Sequence, residues 1–384
     1  MNPTLADVLP AVATALGTPL SGPPDDGGAA GTDAARLVLE PAQHAVVVLL
    51  DGLGEQLLAR RGGHAPFLNS LRLNGCGQVI SCGFPSTTAT SLAMFGTGRL
   101  PGQHGLVGLD VLDPARGVLF SELAWDPMVD PRRWQPEPTV FEQLAADGVD
   151  VVRVGPAYFD GSGLTEAALR GGRFAAAAAL DQRVEATVAA LRAVGSHGRG
   201  FVYLYWGEID KVGHVTGCES WQWGEELATV DAALSRLVAR LSRDTMVVIT
   251  ADHGMVDVPF ADRVDVAHEP TLAAGVELVG GEPRGLHLYC RPGAVDDVLA
   301  AWRERLGDRV ELLRRQDAIA AGWFGPVHPR VMARIGDVVG SARSTTAVID
   351  SRTARKEVLA LLGLHGARTD AEQLVPLLVT RGRA

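Results

Sequence analysis

The chain has 384 residues, which is long enough to bury a large core as one big α/β unit or as a core with an inserted lobe. Hydrophobic residues at 47% and charged residues at 21% are typical of a folded globular protein and exclude a disordered one. The formal charge of -10, from 45 acidic and 35 basic residues, argues against a nucleic-acid polymer as partner, because such binding draws on clustered Lys and Arg. A small phosphate ester remains allowed.

The N-terminal sequence and the number of cysteines indicate the cellular compartment of the protein. The first residues lack a basic region followed by a continuous apolar stretch, so we expect no signal peptide. No run of about 18 uncharged apolar residues is present, so we expect neither a membrane span nor a membrane partner. Four cysteines without a C-x-x-C pair predict neither a disulfide framework nor a cysteine zinc cluster. Together these features predict a cytoplasmic protein, and they leave its oligomeric state open.

Taken in chain order, residues 1–34 are predicted to form an N-terminal helix and a flexible loop, since Gly, Pro and Asp dominate from residue 17 onward. Residues 45–50 form an apolar run that ends at Asp51, which predicts a buried parallel strand with a carboxylate at its C-terminal end. Similar strands are predicted at 149–154, 201–206 and 246–250. Helices are predicted between them, notably at 180–194 and 225–241.

Strands that alternate with helices predict an α/β fold, with a mostly parallel central sheet covered by helices on both faces. Ligands of such sheets gather at the carboxyl ends of the strands. Shorter segments between residues 258 and 345 indicate a small inserted cap lobe. The core is therefore predicted to comprise residues 35–257 and 346–384.

Acidic residues and histidines follow three of the predicted strands. Asp51 alone is typical of a turn or a helix cap. Asp210 and His214 are four residues apart, a spacing at which both side chains can face one ion if the segment is helical. Asp252 and His253 form a second pair directly after a strand. Each group is also compatible with a cap or a hydrogen-bonded core histidine, but their recurrence at three strand ends favours metal binding.

A hydroxyl-rich turn at residues 83–92 leads into an apolar helix. Its hydroxyls can cap that helix. Alternatively, one of them can lie at a helix N-terminus that binds a phosphate. A threonine hydroxyl is a poor nucleophile unless a base or a metal deprotonates it, and the acidic residues and histidines could supply that metal.

With these motifs in this order, the chain resembles the alkaline phosphatase superfamily, and within it the nucleotide pyrophosphatase/phosphodiesterase-like branch. The motifs are Asp51, Pro85-Ser86-Thr87-Thr88, Thr97-Gly98, His104-Gly105, Asp210 with His214, Asp252-His253-Gly254-Met255, and His365-Gly366. Each motif is short, and their order along nearly the whole core carries the resemblance. It implies an alkaline phosphatase-like core.

The resemblance also implies two divalent metal ions and a ligand set. Asp51, Asp252, His253 and the Thr88 oxygen would bind one ion, and Asp210, His214 and His365 would bind the other. Carboxylate and imidazole ligands suit zinc, with manganese as an alternative. Thr88 rather than Thr87 is expected to be the nucleophile, because it stands three residues after Pro85, and it would form a phospho-threonine intermediate.

Three other residues bear on this site. His287 is a rival to His365, but it lies in an apolar, strand-like segment of the predicted cap, so His365 is preferred. Ser91 stands three residues after Thr88, where the diesterase pattern has an asparagine, and is a candidate for substrate binding in its place. His104 is expected to be part of a structural turn.

The implied activity is metal-dependent hydrolysis of a phosphodiester or nucleotide pyrophosphate, with a small phosphate ester or nucleotide-like substrate. A phosphomonoesterase is the first alternative, favoured if Arg284 or Lys211 supplies a cationic pocket. A catalytically silent, metal-stabilised binding protein is the second, although a purely structural metal site does not need the hydroxyl-rich turn. Trp125 and Trp134 could stack on a base, but we expect them to pack in the protein.

Overall fold

The computed structural model describes residues 3–20, 37–195 and 197–384. The predicted N-terminal helix is present at Leu5–Ala15. Most of the loop predicted up to residue 34 lies outside the described residues, from residue 21 onward.

The strands and helices are numbered in chain order. The strands are β1 His44–Leu50, β2 Gly77–Ser81, β3 Asp110–Asp113, β4 Val118–Ser121, β5 Asp150–Gly155, β6 Arg173–Ala176, β7 Gly200–Trp206, β8 Thr245–Thr250, β9 Val256–Asp257, β10 Arg263–Asp265, β11 Val276–Glu282, β12 Gly285–Cys290, β13 Val310–Arg314, β14 Val338–Ala342, β15 Ala347–Ile349, β16 Gly363–Leu364 and β17 Leu374–Arg381. The helices are α1 Leu5–Ala15, α2 Glu55–Arg60, α3 Pro66–Leu73, α4 Thr88–Thr97, α5 Pro101–His104, α6 Pro131–Trp134, α7 Val140–Ala146, α8 Gly163–Ala168, α9 Leu180–Val194, α10 Glu208–Thr216, α11 Trp221–Arg240, α12 Pro270–Ala273, α13 Val295–Leu306, α14 Arg315–Ala320, α15 Lys356–Ala360 and α16 Asp370–Gln373.

A seven-stranded sheet forms the centre of the molecule, in the order β2-β17-β8-β1-β7-β5-β6. The five strands from β8 to β6 run parallel to one another. Strand β17 is antiparallel to both of its neighbours. The predicted α/β fold with a mostly parallel central sheet is therefore confirmed. Strand β17 has no counterpart among the predicted strands, and Pro376 interrupts its apolar run.

Helices cover the central sheet in two groups. One group contains α1, α4, α7 and α8, and the other contains α3, α9 and α11; α7 and α9 both pack on β5. Helix α4 is buried along its whole length. A Cβ atom at Gly96 would lie 1.9 Å from the Ala168 carbonyl oxygen, so only glycine allows α8 to approach α4 this closely.

A second sheet of six strands has the order β13-β14-β12-β11-β3-β4, and its neighbouring strands are all antiparallel. It has its own apolar cluster, which includes Leu288, Trp302 and Val338. Four of its strands fall inside the predicted cap lobe, whereas β3 and β4 come from residues 110–121. The second sheet therefore takes in a hairpin from outside residues 258–345, and the domain boundaries stay a prediction.

The cysteines and the helix lengths bear on the expectations about disulfides, cysteine metal sites and membrane spans. All four cysteines carry free thiols. None of them belongs to a candidate metal-binding group among the described residues. Within the same residues, no helix combines the length and the apolar character needed to cross a bilayer. The cytoplasmic location itself stays a prediction.

Candidate active site

Three carboxylates meet at the carboxyl edge of the central sheet. Asp51 follows β1, Asp210 lies in the first turn of α10 after β7, and Asp252 follows β8. Because these strands are adjacent and parallel, their ends bring the three side chains together. Gly52 makes room for them, since a Cβ atom there would lie 2.9 Å from the Asp210 Cβ.

Asp51, Asp252 and His253 form a first cluster, in which one ligand atom of each lies within 4.8 Å of the others. The Gly52 and His253 amides donate to Asp252 Oδ1 at 3.1 and 3.0 Å, which leaves Oδ2 free. His253 Nδ1 lies 3.1 Å from the Gly254 carbonyl oxygen. If Nδ1 carries the proton and donates it there, Nε2 presents a lone pair to the cluster, as a metal ligand requires.

Asp210, His214 and His365 form a second cluster with the same spacing of ligand atoms. Helix α10 places His214 one turn after Asp210, with Nε2 3.2 Å from Oδ2. His214 Nδ1 lies 2.7 Å from the Gly363 oxygen, and His365 Nδ1 lies 2.9 Å from the Ser86 oxygen. Backbone carbonyls thus orient both rings so that Nε2 faces the cluster.

The two clusters are in direct contact through their histidine rings. The rings of His253 and His365 stack with centroids 3.8 Å apart, and the His214 and His365 centroids are 5.2 Å apart. The structure therefore brings together all six Asp and His residues that the resemblance implied as ligands. Their role as ligands stays a prediction.

The electrostatics of the carboxylates fit bound cations. Asp51 Oδ1, Asp210 Oδ1 and Asp252 Oδ2 are buried without a hydrogen-bond partner. Burial first, and then repulsion by Asp252 and Asp210, raises the pKa of Asp51 well above its usual value. Burial also raises the pKa of Asp252. Divalent cations between these oxygens would offset both the cost of burying the carboxylates and the repulsion between them.

Thr88 is the first residue of α4 and lies beside the first cluster. Its Oγ1 is 3.2 Å from His253 Nε2. The neighbouring Thr87 is the N-cap of α4, and its side chain lies close enough to Glu282 to influence the pKa of that carboxyl. The Thr88 side chain is 8% exposed and borders cavities on either side of it. This geometry favours Thr88 over Thr87 as the nucleophile.

Tyr205 and Glu282, which contact residues of the clusters, were not identified from the sequence. The Tyr205 hydroxyl donates a hydrogen bond to Asp51 Oδ2. Glu282, from β11, is buried with its carboxylate 3.5 Å from His365 Nδ1, and burial raises its pKa well above the usual value. A hydroxyl near the end of the strand that precedes Asp210 was an available signal for Tyr205. Glu282 had no such signal, because the second sheet supplies it.

Neither Ser91 nor His287 borders the cavities at Thr88. Ser91 is wholly buried next to the Cys82 thiol, and its role in substrate binding stays a prediction. Both ring nitrogens of His287 are engaged: Nε2 lies 2.8 Å from the Val107 oxygen, and Nδ1 accepts from the Gly336 amide at 2.9 Å. His287 therefore has no free nitrogen for a metal.

Arg284 and Lys211, the two residues considered as cations for a phosphomonoester substrate, differ in their position. Arg284 is fully buried and makes two hydrogen bonds to Glu372, at 2.8 and 2.7 Å, so it cannot face a substrate. Lys211 borders the cavity over the two clusters of candidate ligands, where it pairs with Glu208 at 3.0 Å. Arg355, which the sequence analysis did not single out, borders the same cavity.

The two tryptophans pack in the protein, as expected. Trp134 donates to Glu122 Oε1 at 2.7 Å, and the Arg334 guanidinium lies 3.5 Å from its ring centroid. Trp125 packs edge-on against Phe120. Neither ring lines a cavity at Thr88.

Two cavities meet at Thr88 and Tyr205. One, of about 400 Å³, lies over the clusters and is bordered by Asp51, Asp210 and His365. The other, of about 440 Å³, runs along the sheet and is mainly apolar, with Leu164 and Phe159 in its wall. An ester whose phosphorus lies at Thr88 could place one group in each cavity.

Comparisons with known proteins agree with this architecture. The family model described as type I phosphodiesterase / nucleotide pyrophosphatase matches residues 45–368. Among solved structures, murine ectonucleotide pyrophosphatase / phosphodiesterase 5 has a TM-score of 0.70 at 17% identity, over 88% of this chain and 89% of that one. An inactive variant of the murine protein, with alanine in place of a threonine and in complex with AMP, has a TM-score of 0.71 at 17% identity, over 88% of each chain.

A bacterial structure is similar to the same extent. Phosphonoacetate hydrolase from Sinorhizobium meliloti, in complex with phosphonoacetate, has a TM-score of 0.68 at 20% identity, over 88% of this chain and 89% of that one. No curated protein is similar enough in sequence to count as a match. At these identities the structural likeness shows the fold alone.

Proposed function

The chain belongs to the type I phosphodiesterase/nucleotide pyrophosphatase family, and from this premise we propose that it cleaves a phosphodiester or pyrophosphate bond of a small, nucleotide-like ester through Thr88. Family membership makes it a hydrolase of phosphoester bonds. The observation that carries the finer proposal is the position of Thr88 Oγ1, 3.2 Å from His253 Nε2 and beside two clusters of carboxylates and imidazoles. A binding protein without catalysis has no need of this hydroxyl.

The clusters suit two divalent ions. Asp51, Asp252, His253 and the Thr88 oxygen would hold one ion, and Asp210, His214 and His365 would hold the other. The mixture of carboxylates and imidazoles favours zinc, with manganese as the alternative. Such ions, when bound, supply positive charge that lowers the pKa of a hydroxyl and stabilises charge on a transferred phosphoryl group.

The residues of this chain position the reaction. Thr88 Oγ attacks phosphorus, the Oγ–P bond forms, and the ester oxygen leaves with the departing group. Water then cleaves the Oγ–P bond and regenerates the hydroxyl. The first backbone N–H groups of α4 have no partner within the helix, so they can donate to a phosphoryl oxygen. They would do this in place of the missing asparagine, because Ser91 is wholly buried and borders neither cavity at Thr88.

The relatives support this chemistry for the class. The inactive murine variant with a threonine replaced by alanine supports a threonine role, and its AMP ligand supports a nucleotide-like substrate. The phosphomonoesterase alternative needs cations for the extra charge. Lys211 and Arg355 at the cluster cavity are the candidates, because Arg284 is held by Glu372.

Paired variants test the proposal. Thr88→Ala should abolish hydrolysis of bis-(4-nitrophenyl) phosphate while metal content stays at the wild-type level. Thr88→Ser, which keeps a hydroxyl, should retain measurable activity and serves as the matched control. Near-normal turnover by Thr88→Ala would remove Thr88 from the mechanism. Comparison with 4-nitrophenyl phosphate in the wild type separates diesterase from monoesterase activity.

A further inference from the structure

A buried arginine that has no hydrogen-bond or ion-pair partner among the described residues borders the apolar cavity beside Thr88. The Arg153 side chain is 6% exposed, and it makes no hydrogen bond or ion pair with the described residues. Its Nε and Nη1 are buried and unsatisfied. Buried charges in folded proteins are normally paired, because an unpaired one costs free energy. Arg153 therefore lacks the partner that its position demands.

The neighbouring strands surround Arg153 with aromatic rings. It lies on β5, in register with Tyr203 on β7 and with Phe174 on β6. In-register residues of parallel strands point to the same face of the sheet. The guanidinium carbon lies 5.6 Å from the Phe174 ring centroid.

A second buried donor lies next to it. The Tyr203 hydroxyl, too, has no hydrogen-bond partner within the part of the chain that the structure describes. Burial raises the pKa of Tyr203, so the hydroxyl keeps its proton and can donate it. Two unsatisfied donors on adjacent strands thus border one cavity. Both would be satisfied by the same acceptor.

The cavity connects these donors to the reaction centre. Tyr205 follows Tyr203 by two residues on β7, so both rings lie on the same face, and Tyr205 bonds to Asp51. Thr88 and Tyr205 border the cavity together with Arg153 and Tyr203. Its volume of about 440 Å³ lies in the range of small-molecule sites.

We propose that this cavity holds the organic group of the phosphate ester, and that Arg153 and Tyr203 bind a second acidic group on it, a carboxylate or a phosphate. The inference rests on the proposed function and narrows its substrate class to esters with an apolar or aromatic body that carries an oxyanion. A guanidinium matches the planar, multidentate geometry of these anions. The surrounding apolar side chains strengthen the pairing.

No acidic residue in the described part of the chain pairs with Arg153. Glu166 and Asp160 act on Arg153 only over a longer range, without an ion pair. Glu166 pairs instead with Arg132 at 2.9 Å. Within the described residues, the place of an oxyanion partner is thus left to a ligand.

Matched esters test the inference. The probes are 4-nitrophenyl phenyl phosphate and its analogues with a carboxylate or a phosphonate at the 4-position of the phenyl ring. We expect the wild type to favour at least one charged analogue by about tenfold or more in kcat/KM. In Arg153→Met the ratio of kcat/KM for the charged ester to that for the uncharged ester should fall to about one. Arg153→Lys should keep part of the preference. The better analogue identifies the anion as carboxylate or phosphate.

Two results would overturn the inference. One is a wild type that hydrolyses both charged analogues with about the same kcat/KM as the uncharged ester. The other is a preference for a charged analogue that persists in Arg153→Met. The melting temperature provides a further readout, because a side chain without internal bonds should not be needed for folding. A large loss of melting temperature in Arg153→Met would assign Arg153 to the fold instead.

Measurements of ester binding, without turnover, test the anion site independently of the proposed catalytic function. If the wild type hydrolyses none of the three diesters, the proposed function fails, and calorimetry on Thr88→Ala then tests the anion site alone. Tighter binding of a charged ester, lost in the Thr88→Ala/Arg153→Met double variant, would support the site. Equal binding of charged and uncharged esters would reject it.

Discussion

The imidazole rings of His253 and His365 stack with their centroids 3.8 Å apart, although each ring belongs to a different cluster of candidate ligands. The Nδ1 atom of each ring is held at a backbone carbonyl, that of Gly254 or that of Ser86. The two clusters therefore form one connected unit, in which a shift of either ring displaces the other.

The metal content of ligand variants tests the two clusters separately. We expect about two ions per chain in the wild type and about one in either Asp252→Asn or His214→Ala, because each change disables one cluster. Elemental analysis after dialysis measures this, and activity should fall by about 100-fold or more in both variants. His287→Gln is the control and should keep both ions, since the ring of His287 lies outside the clusters. Full metal content in both ligand variants would contradict the assignment.

Tyr205→Phe removes the hydrogen bond that orients Asp51. We expect kcat/KM to fall by about tenfold, which corresponds to the roughly 1.4 kcal/mol of a hydrogen bond to a charged group. Tyr289→Phe is a matched control, because Tyr289 lies on β12 of the second sheet and its hydroxyl donates to the Arg334 carbonyl at 2.6 Å. That control should lower the melting temperature and leave kcat/KM unchanged. Equal activity of Tyr205→Phe and wild type would mean that Asp51 needs no such orientation.

Arg284→Met should destabilise the protein without changing its specificity. Loss of one member of a buried ion pair leaves Glu372 uncompensated, at a cost of about 3–5 kcal/mol in the free energy of unfolding. Urea unfolding measures this cost, and the ratio of diester to monoester hydrolysis should stay the same in the folded enzyme. Lys211→Met, on the exposed rim, should change stability by less than about 0.5 kcal/mol. A changed substrate ratio in Arg284→Met would return Arg284 to the substrate site.

Acid should destabilise the fold through His287. Burial lowers the pKa of this histidine to about 4, from 6.5. Its neutral form is therefore favoured in the folded state, and the unfolded state binds the proton first as pH falls. The stabilisation is fully present above about pH 6.5 and is lost progressively toward pH 4, by about 1.4 kcal/mol per pH unit at most. Unfolding in urea across this range should show a shallower pH dependence for His287→Gln than for the wild type.

Local signals in the sequence predicted the sheet and the order of its acidic residues. The apolar runs before Asp51, Asp210 and Asp252 carry that signal, because a buried parallel strand needs an unbroken apolar sequence. The helix predicted at 180–194 matches α9. Strand β17 lacks the signal, since Pro376 stands inside it, and its place between β8 and β2 follows only from tertiary pairing.

The cavity residues could not be predicted, because they depend on which strands become neighbours. Arg153, Tyr203 and Tyr205 all lie on predicted strands, yet no local pattern shows that β5 pairs with β7 or which face holds the cavity. Ser91 illustrates the same limit: its spacing from Thr88 suggested a place in the site, but spacing could not show that its side chain is buried beside Cys82 and borders neither cavity. Motif spacing gives the order of residues along a chain, whereas side-chain surroundings depend on the whole fold.

Helix α4 has no solvent-exposed residue among its ten positions. Surface helices usually tolerate polar substitution at every third or fourth position, on the side that faces water. In a saturation scan of residues 88–97, we therefore expect replacements to be selected against all along the helix, although Thr88 is the only one of these residues proposed to react. Changes in substrate preference should then arise in the walls of the cavities and not in α4.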